Sequence, residues 1–126
     1  MLYNKDWAYT LNPVADVLLK AADLLEKYGH VKFMRGGRYS GMCFLGALDV
    51  AQGHRNNGPD TLLTKETSEA VGKNLGLKLN VQRQELDYRY AMVNWNNLPE
   101  RTGQEVIDAM RLTASKLLEK EKTHAV

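Results

Sequence analysis

The segment Pro13–Tyr28 constrains this chain more than any other, because its apolar residues fall on one side of a helix. Val14, Val17, Leu18, Ala21, Leu24, Leu25 and Tyr28 recur at three- and four-residue spacing and form one stripe. Asn12 is a favoured N-cap, Pro13 suits a first turn whose N–H has no partner, and Gly29 supplies the stop. A helix with one apolar face must bury it, so the remaining chain has to provide partners.

Two later segments fit that need. Gly103–Lys120 carries a second stripe of Val106, Ile107, Met110, Ala114, Leu117 and Leu118, and Thr102 and Glu105 have the spacing of a capping box. Met42–Gln52 is apolar almost all round (Met42, Cys43, Phe44, Leu45, Ala47, Leu48, Val50, Ala51), the pattern of a central buried helix. Ser40 or Gly41 would open it, Gly53 would end it, and Gly46 with Ala47 would let a neighbour come close.

Between these helices the signals are shorter. His30–Met34, the turn Arg35-Gly36-Gly37-Arg38 and Tyr39 read as a small β-hairpin, since paired glycines suit the positive φ of a tight turn. His54–Asp60 is rich in turn formers and reads as a loop. A third helix is expected over Lys65–Leu75, capped by Thr64 and weakened at Gly72 by about 1 kcal/mol relative to alanine. Leu77, Leu79 and Val81 alternate as in a short strand. Gln82–Asn94 fits both periods, and its helix formers favour a fourth helix. The expected fold is a mainly α, compact bundle of four to five helices with a small β-hairpin. It forms one domain over 1–126, with 1–12 as an N-terminal arm and 119–126 as a frayed tail.

Composition narrows the function classes. With 126 residues and 44% apolar content the chain can bury one core. Seventeen Lys+Arg against fifteen Asp+Glu leave a net charge of +2, weak support for a nucleic-acid-binding face unless the cations cluster locally. No apolar run is long enough for a membrane span, and the N-terminus lacks the apolar core of a signal peptide, so the expected location is cytoplasmic. The single Cys43 excludes an intramolecular disulfide. His30, His54 and His124 stand too far apart for a metal-ligand pattern, so neither a metal nor a cofactor is expected.

The candidate site residues are few. Cys43, in the first turn of a helix, has the setting that lowers a thiol pKa, but no histidine base is assigned to it and a buried structural role competes. Arg35, Gly36, Gly37 and Arg38 would suit a phosphate, or simply make a turn with solubilising charges. Lys78, Arg83 and Arg89 would form a basic patch on Gln82–Asn94, or equally a solvated helix face; a helix-turn-helix reading of Ala70–Leu86 fails because Gly76 is misplaced. Trp95, Asn96 and Arg101 would form one wall of a binding surface, or pin a turn in which Arg101 satisfies carbonyls ending the preceding helix. Phe33, Met34, Tyr39, Tyr88 and Tyr90, where exposed, are the expected anchors for a partner.

Met42-Cys43-Phe44-Leu45-Gly46-Ala47-Leu48 resembles a Cys-x-Leu-Gly-Ala-Leu helix, and Trp95–Thr102 resembles a Trp-Asn-Asp-x-Pro-Gly-Arg-Thr loop before a final helix. In this order, after a leading helix, the two motifs resemble a small uncharacterised family of actinobacteria and their phages, over roughly Pro13–Leu118. Asn97 replaces the motif's Asp and Glu100 its Gly, which disfavours an acid-dependent role while leaving capping intact. The resemblance implies origin and fold rather than an activity. The functional expectation is a non-enzymatic interaction protein, phage-encoded and binding a host macromolecule, with no membrane partner and self-association open. The alternatives are a nucleic-acid-binding module, and a small enzyme or ligand-binding protein using Cys43 or the Trp95 loop.

Overall fold

A computed structural model describes residues 10, 12–34, 36–37, 41–53 and 60–124. These form five α-helices and one two-stranded ribbon: α1 Pro13–Tyr28, β1 Gly36–Gly37, β2 Gly41–Met42, α2 Phe44–Ala51, α3 Leu62–Asn74, α4 Tyr88–Asn96 and α5 Gly103–His124. The architecture is mainly α, as the periodicity predicts. Residues 1–9 and 11 of the N-terminal arm, the loop 54–59 with His54, and Arg35, Arg38, Tyr39 and Ser40 lie outside the described residues. No helix among the described residues is long and apolar enough to cross a membrane.

The leading helix has the bounds its sequence sets. Asn12 Oδ1 accepts the Ala15 N–H at 3.1 Å, and Gly29, at φ +100°, returns its N–H to the Leu25 carbonyl. Its stripe packs chiefly on α5 and then on α2, while α3 leans on α4. Leu18, Phe44, Leu48, Met92, Val106 and Met110 are fully enclosed between these helices. Outside this core, Arg111 bridges α5 to Asp23 and Glu26 of α1 at 3.0 and 2.7 Å.

Several expectations are corrected. Gly36 and Gly37 lie in β1 rather than in the turn: Gly36 pairs with Met42 and Gly37 with Gly41. His30–Met34 forms no strand of this ribbon; His30 makes only an isolated parallel bridge to Met42. The second helix begins at Phe44, with Cys43 as its N-cap outside the first turn. The third begins at Leu62 and is capped by Thr61, because the Thr64 hydroxyl is buried and engaged by Gln52 Nε2 at 2.7 Å. Thr61 in turn donates to Gln52 Oε1 at 2.7 Å, tying the end of α2 to the start of α3.

Leu77, Leu79 and Val81 form no strand; the chain there is irregular and ends in a 3-10 turn, Val81–Arg83. The fourth helix starts only at Tyr88, behind the N-cap Asp87, because Gln84 adopts a left-handed conformation (φ +60°) and breaks the backbone path. At the C-terminus, helix continues through His124.

Gly72 has a use that propensity alone hides. A Cβ there would stand 2.3 Å from Tyr88 Cδ1, so the bare backbone lets α4 close on α3. Tyr88 then donates its hydroxyl hydrogen to the Leu77 carbonyl at 3.1 Å.

Candidate functional site

The end of α4 is held to two other segments by one side chain. Asn96 is 1% exposed. Its Oδ1 accepts the Phe44 N–H at 3.1 Å, and its Nδ2 donates to the Val31 carbonyl at 3.3 Å. A backbone donor on one side and a backbone acceptor on the other fix which way the amide faces. The His30 Nε2 at 2.7 Å from the same Oδ1 therefore carries the proton. Asn97 Oδ1 receives the second Asn96 N–H at 3.0 Å and the Phe33 N–H at 2.8 Å. An Asp at position 97, as in the resembled motif, would accept the same two donors.

These bonds have a purpose in the shape of the Val31–Met34 segment. Lys32 Nζ adds bonds to the Leu98 and Pro99 carbonyls at 2.7 and 2.9 Å. So clamped, Phe33 takes φ +65°, a left-handed conformation that costs an L-residue with a bulky side chain about 1–2 kcal/mol. Its ring remains 79% exposed. The fold thus holds an aromatic side chain in water, on a strained backbone, beside the exposed Met34.

Both residues border a cleft of about 890 Å³. Its other walls come from the chain before α4 and from α4 itself, with Val81 and Leu86, 79% and 74% exposed, and Tyr90 facing the space. Phe44, Leu45, Val93 and the edge of Cys43 lie deeper. Cys43 Sγ accepts the Gly46 N–H at 3.4 Å, a capping bond of α2. The volume lies in the range of small-molecule and peptide sites, and the lining is largely apolar.

Charge along this cleft is mostly internally balanced. The Arg89 guanidinium bonds Asp87 from Nε and Nη2, the shortest at 2.6 Å, and reaches Asp60 at 3.4 Å. The hydrogen bond from Arg89 is the main cause that holds the Asp87 carboxyl below its usual range; the same bond pushes the Arg89 pKa up. Arg83, exposed at the rim, forms no ion pair among the described residues.

Trp95 and Arg101 face elsewhere. The Arg101 guanidinium stacks 4.0 Å over the Trp95 ring, its Nε donates to the Trp95 carbonyl at 3.2 Å, and Nη1 meets Glu105 at 2.9 Å. Glu105 accepts the Thr102 N–H at 3.0 Å and Thr102 Oγ1 accepts the Glu105 N–H at 3.1 Å, closing the capping box. The backbone bond from Thr102 chiefly lowers the Glu105 pKa. This cluster joins α4 to α5, and Trp95 borders a separate hollow of about 170 Å³.

Of the residues singled out in the sequence, Asn96 lies beneath the cleft, Trp95 and Arg101 lie together in the joint, and Tyr88 packs on Gly72. Arg35, Arg38 and Tyr39 lie outside the described residues. Phe33, Met34 and Tyr90 line the cleft. Val81, Leu86 and Asn94 were not singled out, and Asn97 only as a departure from the resembled motif; Tyr90, Asn94 and Asn97 share one helix face by spacing, the signal that could have placed the last two on the cleft. Among the described residues no group of three metal-ligating side chains occurs.

The model of a protein family of unknown function matches residues 10–116, the span from before α1 into the later turns of α5. Neither curated proteins nor solved structures give a match.

Proposed function

The chain belongs to that family of unknown function, DUF6197, and we propose that it is a non-catalytic interaction protein whose cleft receives apolar side chains of a macromolecular partner. The carrying observation is the convergence of Phe33, Met34, Val81, Leu86 and Tyr90, all exposed, on one cleft. Contiguous exposed apolar surface is costly in water and marks interaction sites. The clamp that holds Phe33 outward at positive φ adds to this reading. The motif resemblance to proteins of actinobacteria and their phages suggests the setting, a phage protein meeting a host macromolecule in the cytoplasm.

A nucleic-acid-binding role gains less support, since Arg89 is already engaged by Asp87 and Asp60. A thiol enzyme would need a base for Cys43, and His30 directs Nε2 at Asn96 instead. The test is a photoreactive phenylalanine analogue placed at Phe33, with one at Leu112, exposed on α5 and outside the cleft, as control. The expected result is a discrete adduct to one partner from position 33 alone, lost when Leu86→Ser is added. Equal labelling from both positions, adducts only to a second copy of the chain, or none at all would refute the proposal.

A further inference from the structure

Two side-chain amides on the cleft have their outward atoms fixed by the bonds they make inward. Asn97 Oδ1 is turned to the Phe33 N–H and the Asn96 Nδ2, so its Nδ2 is left as a donor. Asn94 Nδ2 donates to Glu85 Oε2 at 2.8 Å, so its Oδ1 is left as an acceptor. Both residues line the cleft, and neither remaining group has a partner among the described residues. Three positions apart at the end of α4, their Cβ atoms stand about 5–6 Å from each other. A fixed donor and a fixed acceptor therefore sit side by side on the α4 wall of the cleft, with Asn94 at its border with the smaller hollow.

We propose that the cleft binds an extended polypeptide segment, whose backbone C=O and N–H pair with Asn97 Nδ2 and Asn94 Oδ1 while its apolar side chains enter between Phe33 and Leu86. This rests on the reading of the cleft as an interaction site and names the class of occupant. A helical partner satisfies its backbone groups internally and would leave both amides unanswered. An extended strand presents unpaired C=O and N–H groups along its edge, the feature that β-augmentation exploits. Charge adds a further specification. Arg83 at the rim lacks a carboxylate among the described residues, so the segment carries an acidic side chain close to its apolar pair. A nucleic-acid strand would need several cations for its phosphates, and Arg89, the other cation lining the cleft among the described residues, is neutralised by Asp87 and Asp60.

The experiment is selection of 12-residue peptides from a random display library on the whole protein, followed by titration of the selected peptides against variants. Asn97→Asp keeps the acceptor for the Phe33 N–H but replaces the outward donor by a carboxylate oxygen. It should weaken binding about five- to tenfold, the loss of one hydrogen bond, with little change in the melting temperature. Arg83→Glu, at an exposed position, should weaken the acidic peptides and leave folding intact. The selected peptides should combine alternating apolar residues with an acidic one, and should be extended when bound by NMR.

Bound peptides that are helical, unchanged affinity in both variants, tighter binding of a ten-nucleotide single strand, or no peptide selected would each overturn the inference. The interaction reading fails on a different result: Phe33→Ser and Leu86→Ser without effect on any captured partner.

Discussion

Replacing Asn96 by alanine tests the link on which the cleft depends. The side chain makes four hydrogen bonds, to Phe44 N–H, Val31 C=O, His30 Nε2 and Asn97 Oδ1. They do not contribute equally. Phe44 is fully buried, so its N–H cannot turn to water, and an unmet buried donor costs about 1–3 kcal/mol. Val31 and His30 are half-buried and regain water, so each loses only the net value of a neutral bond, at or below about 1 kcal/mol. The missing amide also leaves a small void beneath α4. Together the loss is about 3–4 kcal/mol, which for a domain of this length is a fall of about 10–15 °C in melting temperature. Urea unfolding followed by circular dichroism measures it, with the slope checked for a constant m-value. His30→Ala removes one partner of the same oxygen at a water-accessible site and should cost no more than about 1 kcal/mol. A loss below about 1 kcal/mol for Asn96→Ala, or equal losses for both variants, would refute the ranking by burial.

Phe33→Gly should leave stability unchanged or raise it by up to about 1 kcal/mol, because glycine accepts positive φ and the exposed ring contributes little burial, while capture of a partner is lost; thermal melts beside the crosslinking assay show both. Gly72→Ala should destabilise by about 1–3 kcal/mol despite alanine's better helix propensity, and Gly72→Ala with Tyr88→Ala should recover part of that in a double-mutant cycle. Thr102→Ala should cost about 1 kcal/mol through loss of the capping bond to Glu105 N–H, read by urea unfolding. Acid sensitivity follows from Asp87: its folded pKa lies below the ordinary 3.8, so the unfolded state takes up protons first. The stability it contributes is present above that value and is lost as pH falls through the folded pKa; acid titrations of Asp87→Asn should show a shallower decline in this window.

The sequence by itself determined the helices whose ends are written in local chemistry. Asn12, Pro13 and Gly29 bound α1, and Thr102 with Glu105 opens α5, because capping bonds join residues within a single turn. The apolar stripes also named most of the core, since one face of each helix must leave water. Local rules went astray where a distant group decided the outcome. Thr64 has the chemistry of a cap, but Gln52 claims its hydroxyl and Thr61 takes the role. Gly72 looked like a weakness in α3 and is the place where Tyr88 closes on it.

The candidate site is almost wholly of this second kind. Phe33 and Asn97 are far apart in the chain and meet through one N–H, and Asn96 joins α4 to the start of α2. Which atom of Asn94 or Asn97 faces outward depends on a partner no local pattern identifies. Hydrophobic period and capping act over a few residues, and so can be read along the chain. Exposure of an apolar side chain, and the direction of an amide, are fixed only when separate segments meet.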